Sequence, residues 1–311
     1  MSSKFIDFQP YTMTYYDLVV LTEDRYQNPL AETQYVKNLI FEDRLIADAL
    51  KEQGLAVTRI SWSDKHFDWS RCRYALFRTT WDYFERFEEF MSWMKATSEK
   101  LTFINSAKLA EWNLDKHYLQ KLSKAELPVV PTVFAEPGST PELRQIMKEL
   151  QLDEVVIKPA VSGAGRHTYR VSSDDVEKYE HIFSQLTSSE TMLIQPFVHS
   201  ILKKGEISLM IFGGKYSHSV LKVAKPGEFR VQDDFGGTVH DYEPDFEAIN
   251  LAEKAVDACP EPPLYARVDL VWFQDKWHLG ELELIEPELF FRKKSGSATM
   301  LAKAIAASIT S

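Results

Sequence analysis

YARVDLVWF at residues 265–273 and WHLGELELI at residues 277–285 decide how this chain is read. Both look like strands, and successive side chains of a strand point to opposite faces. Arg267 and Asp269 therefore share one face of the first strand, opposite Val268, Leu270 and Trp272. On the second, Glu281 and Glu283 share a face, opposite Leu282 and Leu284. The connecting turn sets whether these faces coincide. A three-residue loop of Gln274, Asp275 and Lys276 pairs Phe273 with Trp277, which sets Asp269 opposite Glu281 and Arg267 opposite Glu283. A two-residue turn puts the glutamates on the face away from Asp269. In the first register three carboxylates gather, and such a group repels itself unless a cation sits within it. Mg²⁺ is the natural candidate, with its preference for carboxylate and phosphate oxygens. The alternative is a solvated acidic hairpin balanced by Arg267 and Lys276.

Upstream, EVVIKPAVSGAGRHTYR at residues 154–170 sets Lys158 and Pro159 at the end of a buried strand. A small-residue loop follows, Ser162, Gly163, Ala164 and Gly165, and then a second strand. Glycines let backbone N–H groups approach phosphate oxygens, and a strand-end lysine supplies a point charge. The GxxxxGK[ST] spacing is absent, and a strand stands where a dinucleotide fingerprint requires a helix. The competing reading is an ordinary glycine-containing hairpin.

Outward from these segments the chain alternates. Strands are predicted over 16–22, 55–60, 74–78 and 102–104, with helices over 41–53 and 87–97. This implies a small open α/β domain over residues 1–105. A long helix is predicted over 106–124, N-capped by Ser106, and another over 141–150. Short strands with segregated helices then run to the end, an α+β pattern over 106–311.

Of 311 residues, 44% are hydrophobic and 26% charged, an ordinary globular composition for about two domains. The net charge of -10 disfavours non-specific nucleic-acid binding. No apolar run reaches the ~20 residues of a membrane helix, and the N-terminal residues lack a signal-peptide pattern. Cys72 and Cys259 are expected as reduced thiols. The expectation is a cytoplasmic protein without membrane or nucleic-acid partners, with a homodimer as the base-rate assembly.

The order of motifs resembles the ATP-grasp superfamily. WNLDK (112–116) is similar to the helix bearing a first nucleotide lysine, Lys116, and VIKPAVSGAGR to the second, Lys158, with its phosphate loop. LIQPFV, with Gln195, Pro196, Phe197 and Val198, resembles the hinge strand that meets adenine, and Glu206 a ribose-binding acid. GEFRVQDDFGG resembles the segment whose arginine, Arg230, meets the γ-phosphate or acyl phosphate. ARVDLV and GELELIEP resemble the metal-binding aspartate and the E-x-N pair, with Glu283 standing where the family has asparagine. LELIEP and the upstream RTTWDY are most similar to the glutathione-synthetase-like branch, which includes ligases and cyclases of amino-acid-derived metabolites.

The resemblance implies an ATP-grasp fold behind a small α/β domain, ATP as cofactor, and magnesium (or manganese) on Asp269, Glu281 and Glu283. It implies an ADP-forming ligase or cyclase that phosphorylates a carboxyl-type oxygen for attack by an amine on a small amino-acid-like substrate. A small-molecule kinase and a nucleotide-binding regulator without turnover are the alternatives. Arg267 is expected to bind a carboxylate or the transferred phosphate, or else to pair with Glu283. Lys222 is read as a solvated lysine. Arg78, Trp81 and Asp82 are a candidate second-substrate segment, with a helix N-cap at Thr80 or Asp82 as the alternative.

Overall fold

The computed structural model describes residues 15–30, 33–139, 142–232 and 235–310. Strands β1 (Tyr16–Thr22), β2 (Val57–Ser61), β3 (Cys72–Thr79) and β4 (Thr102–Ile104) form a parallel sheet ordered β2-β1-β3-β4. The unbroken apolar run of β1 follows from burial on both faces. Leu18 and Val20 pack with Ile46 and Leu50 of α2 (Gln34–Glu52), while Val19 and Leu21 join Phe77, Phe90 and Met94 on the side of α3 (Phe87–Ser98). Between β1 and α2 lies the single turn α1 (Asp24–Gln27). The α2 helix starts earlier than residue 41. Its first turns carry Tyr35, Val36, Leu39 and Ile40 at helical spacing, with Leu39 buried, so the apolar stripe reaches further upstream than residue 41. Thr33 caps the helix by accepting the Val36 N–H at 3.2 Å.

The single helix expected over 106–124 is two. α4 (Ala107–Leu114) stops at Asp115, whose backbone is extended, and α5 (Tyr118–Lys124) restarts after His117. Asp115 accepts the His117 N–H at 2.9 Å, and the Lys116 N–H leaves the helical ladder for the Ala160 carbonyl at 3.1 Å. The break therefore presents Lys116 to the middle of the molecule.

A second sheet is antiparallel and ordered β5-β8-β6-β7, from β5 (Val133–Ala135), β6 (Glu154–Pro159), β7 (Tyr169–Ser172) and β8 (Met192–Pro196). Val155 and Ile157 are buried with residues of α6 (Leu143–Glu149) and α7 (Val176–Thr187). Val156 and Lys158 alternate to the opposite face. The first residue of the helix expected over 141–150 lies outside the described residues.

After the short α8 (Ile201–Lys204) comes a five-stranded antiparallel sheet ordered β11-β10-β9-β12-β13. Its strands are β9 (Glu206–Phe212), β10 (Lys215–Val223), β11 (Thr238–Asp241), β12 (Tyr265–Phe273) and β13 (Lys276–Glu283). One face packs Leu209, Val268, Leu270 and Leu282 against α9 (Phe246–Asp257) and α5. The last helix, α10 (Ser297–Thr310), returns to the first sheet, where Leu301 and Ile305 join the cluster of Leu50 and Leu76.

Candidate active site

The β12–β13 turn contains two residues, not three. Gln274 and Asp275 both take positive φ (49° and 60°), as a type I′ turn requires, and Phe273 pairs with Lys276. Alone, this turn would send the glutamates to the wrong face. A bulge at Gly280 resets the register: Leu270 pairs with Leu279, but Asp269 pairs with Glu281 and Arg267 with Glu283. The expected cross-strand pairs are present, reached through a different turn.

The β9–β10 hairpin behaves alike. A register shift between Tyr216 and His218 sets Lys222 opposite Glu206. The reading of Lys222 as solvated is therefore wrong: it is 4% exposed and bonds Glu206 and, at 3.1 Å, Asp269. Ser208, paired with Asp269 across β9 and β12, donates its hydroxyl to that carboxylate at 2.5 Å. Alternation along β10 sets Lys222 with buried Val220, which was the available signal.

Four carboxylates on this face are matched by four cations. Asp269 is held by Arg267 and Lys222, Glu283 by Arg267, and Glu206 by Lys222. Glu281 lies 3.1 Å from Lys116 and 3.9 Å from Lys158. Arg267 thus makes the ion pair with Glu283. Burial raises the cost of charge on Asp269, but Arg267 and Lys222 outweigh it and hold the carboxyl well below its usual range. Glu281 is also lowered, burial being outweighed by Lys116 and Lys158. Glu283 goes the other way: burial pushes it up to about 8, against the pull of Arg267. Burial lowers Lys158.

This face forms one wall of an open cleft. The cleft lies between the second and third sheets, and the segment from Gln195 to Val198 lines it with Val156 and Lys158. One end is apolar, where Val130, Val198 and Val271 cluster with Ile201. The other end holds the cations and the glycine loop. Lys116 Nζ donates to the Ser162 carbonyl at 2.8 Å, fixing the start of that loop. Ala164 and Gly165 take positive φ. A Cβ on Gly163 would stand 2.7 Å from Phe84, so this loop position packs directly on the segment that follows β3 of the first sheet. Arg230 reaches the cavity beside Gly165, bonded to Glu228 at 2.7 Å and lying over the Phe235 ring at 3.6 Å. Hydrogen bonds from Arg230 pull Glu228 down to about 2. Asp233 and Asp234 of that segment lie outside the described residues.

A second compartment adjoins the first. Lys116, Lys222, Arg267, Glu281, Glu283 and the loop from Ser162 to Ala164 line both. Trp81 lines it, and Trp81 Nε1 donates to the Glu286 carbonyl at 2.8 Å. Arg78 is 1% exposed and donates to the Pro287 carbonyl at 2.9 Å, so it supports this wall from behind. Neither Thr80 nor Asp82 caps α3, whose N-cap position is Arg86; Asp82 instead accepts from Trp62 Nε1 at 2.7 Å and Arg86 at 3.0 Å. Tyr83 and Glu286, which lie within the RTTWDY and GELELIEP segments without being singled out there, complete the wall with Phe84.

Comparison with known proteins agrees with this geometry. Residues 18–105 match the family model of the D-cycloserine synthetase DcsG N-terminal domain. Residues 120–259 match that of the prokaryotic glutathione synthetase ATP-grasp domain. The chain is 30% identical over 288 residues to the cycloserine biosynthesis protein DcsG of Streptomyces lavendulae, spanning 84% of this chain and 91% of that protein. The chain belongs to the ATP-grasp superfamily, in its glutathione-synthetase-like branch. A crystal structure of D-cycloserine synthetase DcsG superposes with a TM-score of 0.80 at 26% identity, covering 94% of this chain and 99% of that one. The ATP-grasp ligase PsnB, solved with a minimal precursor, Mg and ADP, shares the fold at a TM-score of 0.60 and 12% identity, covering 94% and 98%. These matches support an ATP-binding protein of the ligase type. No helix among the described residues is long and apolar enough to cross a membrane.

The oxygen donors present fit magnesium. Among the described residues no three carboxylate, histidine or cysteine groups stand as a ready-made metal cage. The protein's own lysines and arginines occupy the carboxylates instead. Five cations, Lys116, Lys158, Lys222, Arg230 and Arg267, face four carboxylates in the cavity, so a bound triphosphate would leave it with excess negative charge. A divalent cation shared by phosphate and carboxylate oxygens supplies the missing charge.

Proposed function

We propose that this protein is an ADP-forming ligase or cyclase that phosphorylates a carboxyl-type oxygen of a small amino-acid-like substrate for attack by an amine or similar nucleophile. One observation carries the reading. Two compartments of different chemistry share a wall of lysine, arginine, carboxylates and glycine loop. The first suits a nucleotide, with an apolar slot at Val130, Val198 and Val271 for the base. Gln195, Pro196, Phe197 and Val198 offer hinge backbone to it, and Glu206 is the acid for the ribose. Lys116, Lys158, Arg230 and the loop Ser162–Gly163–Ala164–Gly165 receive the phosphates.

Phosphoryl transfer needs positioning and charge more than covalent help from the protein. At the shared wall Lys116 and Arg267 face both ligands, where the γ-phosphoryl group leaves ADP for the acceptor oxygen. The nucleophile's lone pair then attacks the acyl carbon, and phosphate departs with the bond pair. Asp269, Glu281 and Glu283 would hold Mg²⁺, or Mn²⁺, which when bound neutralises phosphate charge. The cycloserine name of the relative supports an amino-acid-derived substrate and a ring-closing outcome.

The test is product analysis across D- and L-amino acids and their O-substituted derivatives. ADP together with free phosphate is expected. ADP without phosphate would make the enzyme a kinase, and AMP or no substrate-stimulated turnover would overturn the ligase reading.

A further inference from the structure

The second compartment has a chemical asymmetry. Its cations, Lys116, Lys222 and Arg267, all belong to the wall shared with the first compartment. Its outer wall is aromatic and acidic: Tyr35, Trp81, Tyr83, Phe84, Glu286 and Glu288. Glu288 is paired with Arg292. Glu286 differs from every other carboxylate facing the two compartments, since no ion pair to it is found among the described residues. Lys116 is committed to Glu281 and to the Ser162 carbonyl. The Tyr83 hydroxyl is hydrogen-bonded to Glu286, and burial pushes this carboxyl up to about 7. Its position is fixed, because the carbonyls of Glu286 and Pro287 accept from Trp81 and Arg78 at 2.8 and 2.9 Å. A half-buried carboxylate whose side-chain partner is the neutral Tyr83 hydroxyl and not a cation is costly to charge, and a cation from outside relieves that cost. Aromatic faces around it attract the same charge.

We infer that the second compartment takes its substrate by an ammonium group, which Glu286 holds against the Trp81, Tyr83 and Phe84 wall. This rests on the ligase reading and names its substrate class: a molecule with an ammonium at one end and the reacting oxygen at the other. The cationic end lies at the outer wall, and the anionic end turns to Arg267 and Lys116.

The test is calorimetric titration of the full chain, saturated with Mg²⁺ and AMPPNP. The probes are the D and L forms of the common amino acids and their N-acetyl counterparts. The tightest-binding amino acid is expected to lose about tenfold or more in affinity on N-acetylation. Glu286→Gln should weaken that amino acid by about tenfold or more, and its N-acetyl form by less than about twofold. Glu286→Asp, which keeps the charge, should fall between. AMPPNP affinity is the internal control: unchanged in the variants, it shows an intact fold, and absent in the wild type, it speaks against the ligase reading itself. Full affinity of Glu286→Gln for the amino acid, tighter binding of the N-acetyl forms, or no amino acid bound at all would each overturn the ammonium assignment.

Discussion

Lys222 shows what a single buried charge does in this site. Its ammonium lies between Glu206 and Asp269 with almost no access to water. Burial works against its charge, but the two carboxylates outweigh burial and hold it above its ordinary value. Removing one member of such a group leaves the others buried and unbalanced, at a cost of about 3–5 kcal/mol. Lys222→Met is therefore expected to destabilise the protein by about that amount, read from the urea midpoint at constant m-value. A loss below about 1 kcal/mol would mean that water or rearrangement already screens the pair. Arg267 is bound the same way between Asp269 and Glu283, so these two cations hold carboxylates before any ligand arrives.

At the scale of elements, the site is made by two bulges and one loop contact. Without the shift after Tyr216, Lys222 would face away from Glu206; without Gly280 as the extra residue, Glu281 and Glu283 would face away from Asp269. Strand alternation was legible in the sequence, and so were Asp269, Glu281, Lys158 and the glycine loop as a group. The bulges were not, because one unpaired residue leaves no periodic trace, and neither Gln274 nor Asp275 announces a two-residue turn. The break at Lys116 was hidden similarly: Asp115 caps it through a side-chain bond that helical periodicity cannot show. The loop contact is testable. Gly163 packs on Phe84, where a methyl group would stand 2.7 Å from the ring. Gly163→Ala should raise the KM for ATP about tenfold by displacing the loop. Phe84→Ala in the same chain should restore most of it, because the clash partner is gone. Equal defects in the single and double variants would show that the loop backbone, not Phe84, resents the methyl group.

For the whole molecule, the question is how the first sheet is kept in register with the third, since the second compartment lies between them. Asn105 follows β4 and is 4% exposed. Its amide donates to the carbonyls of Tyr265 and Leu284 at 2.9 and 2.6 Å, and its oxygen accepts the Leu264 N–H at 2.8 Å. Tyr265 returns the connection, its hydroxyl donating to the Ile285 carbonyl at 2.7 Å beneath the Glu286 wall. Apolar burial is non-directional and would let the sheets slide; these bonds fix one arrangement. The α10 helix adds to the join by packing on α2. Asn105→Ala removes three buried hydrogen bonds to main-chain groups, at a cost of about 2–4 kcal/mol. Because the bonds join the first sheet to the third, that loss should also reach the chemistry: ATP affinity near wild type, with a raised KM for the second substrate. Equilibrium unfolding together with steady-state kinetics checks both parts. A stability loss with unchanged KM would place the rigidity of the second compartment elsewhere, in the Trp81 and Arg78 bonds to residues 286–287.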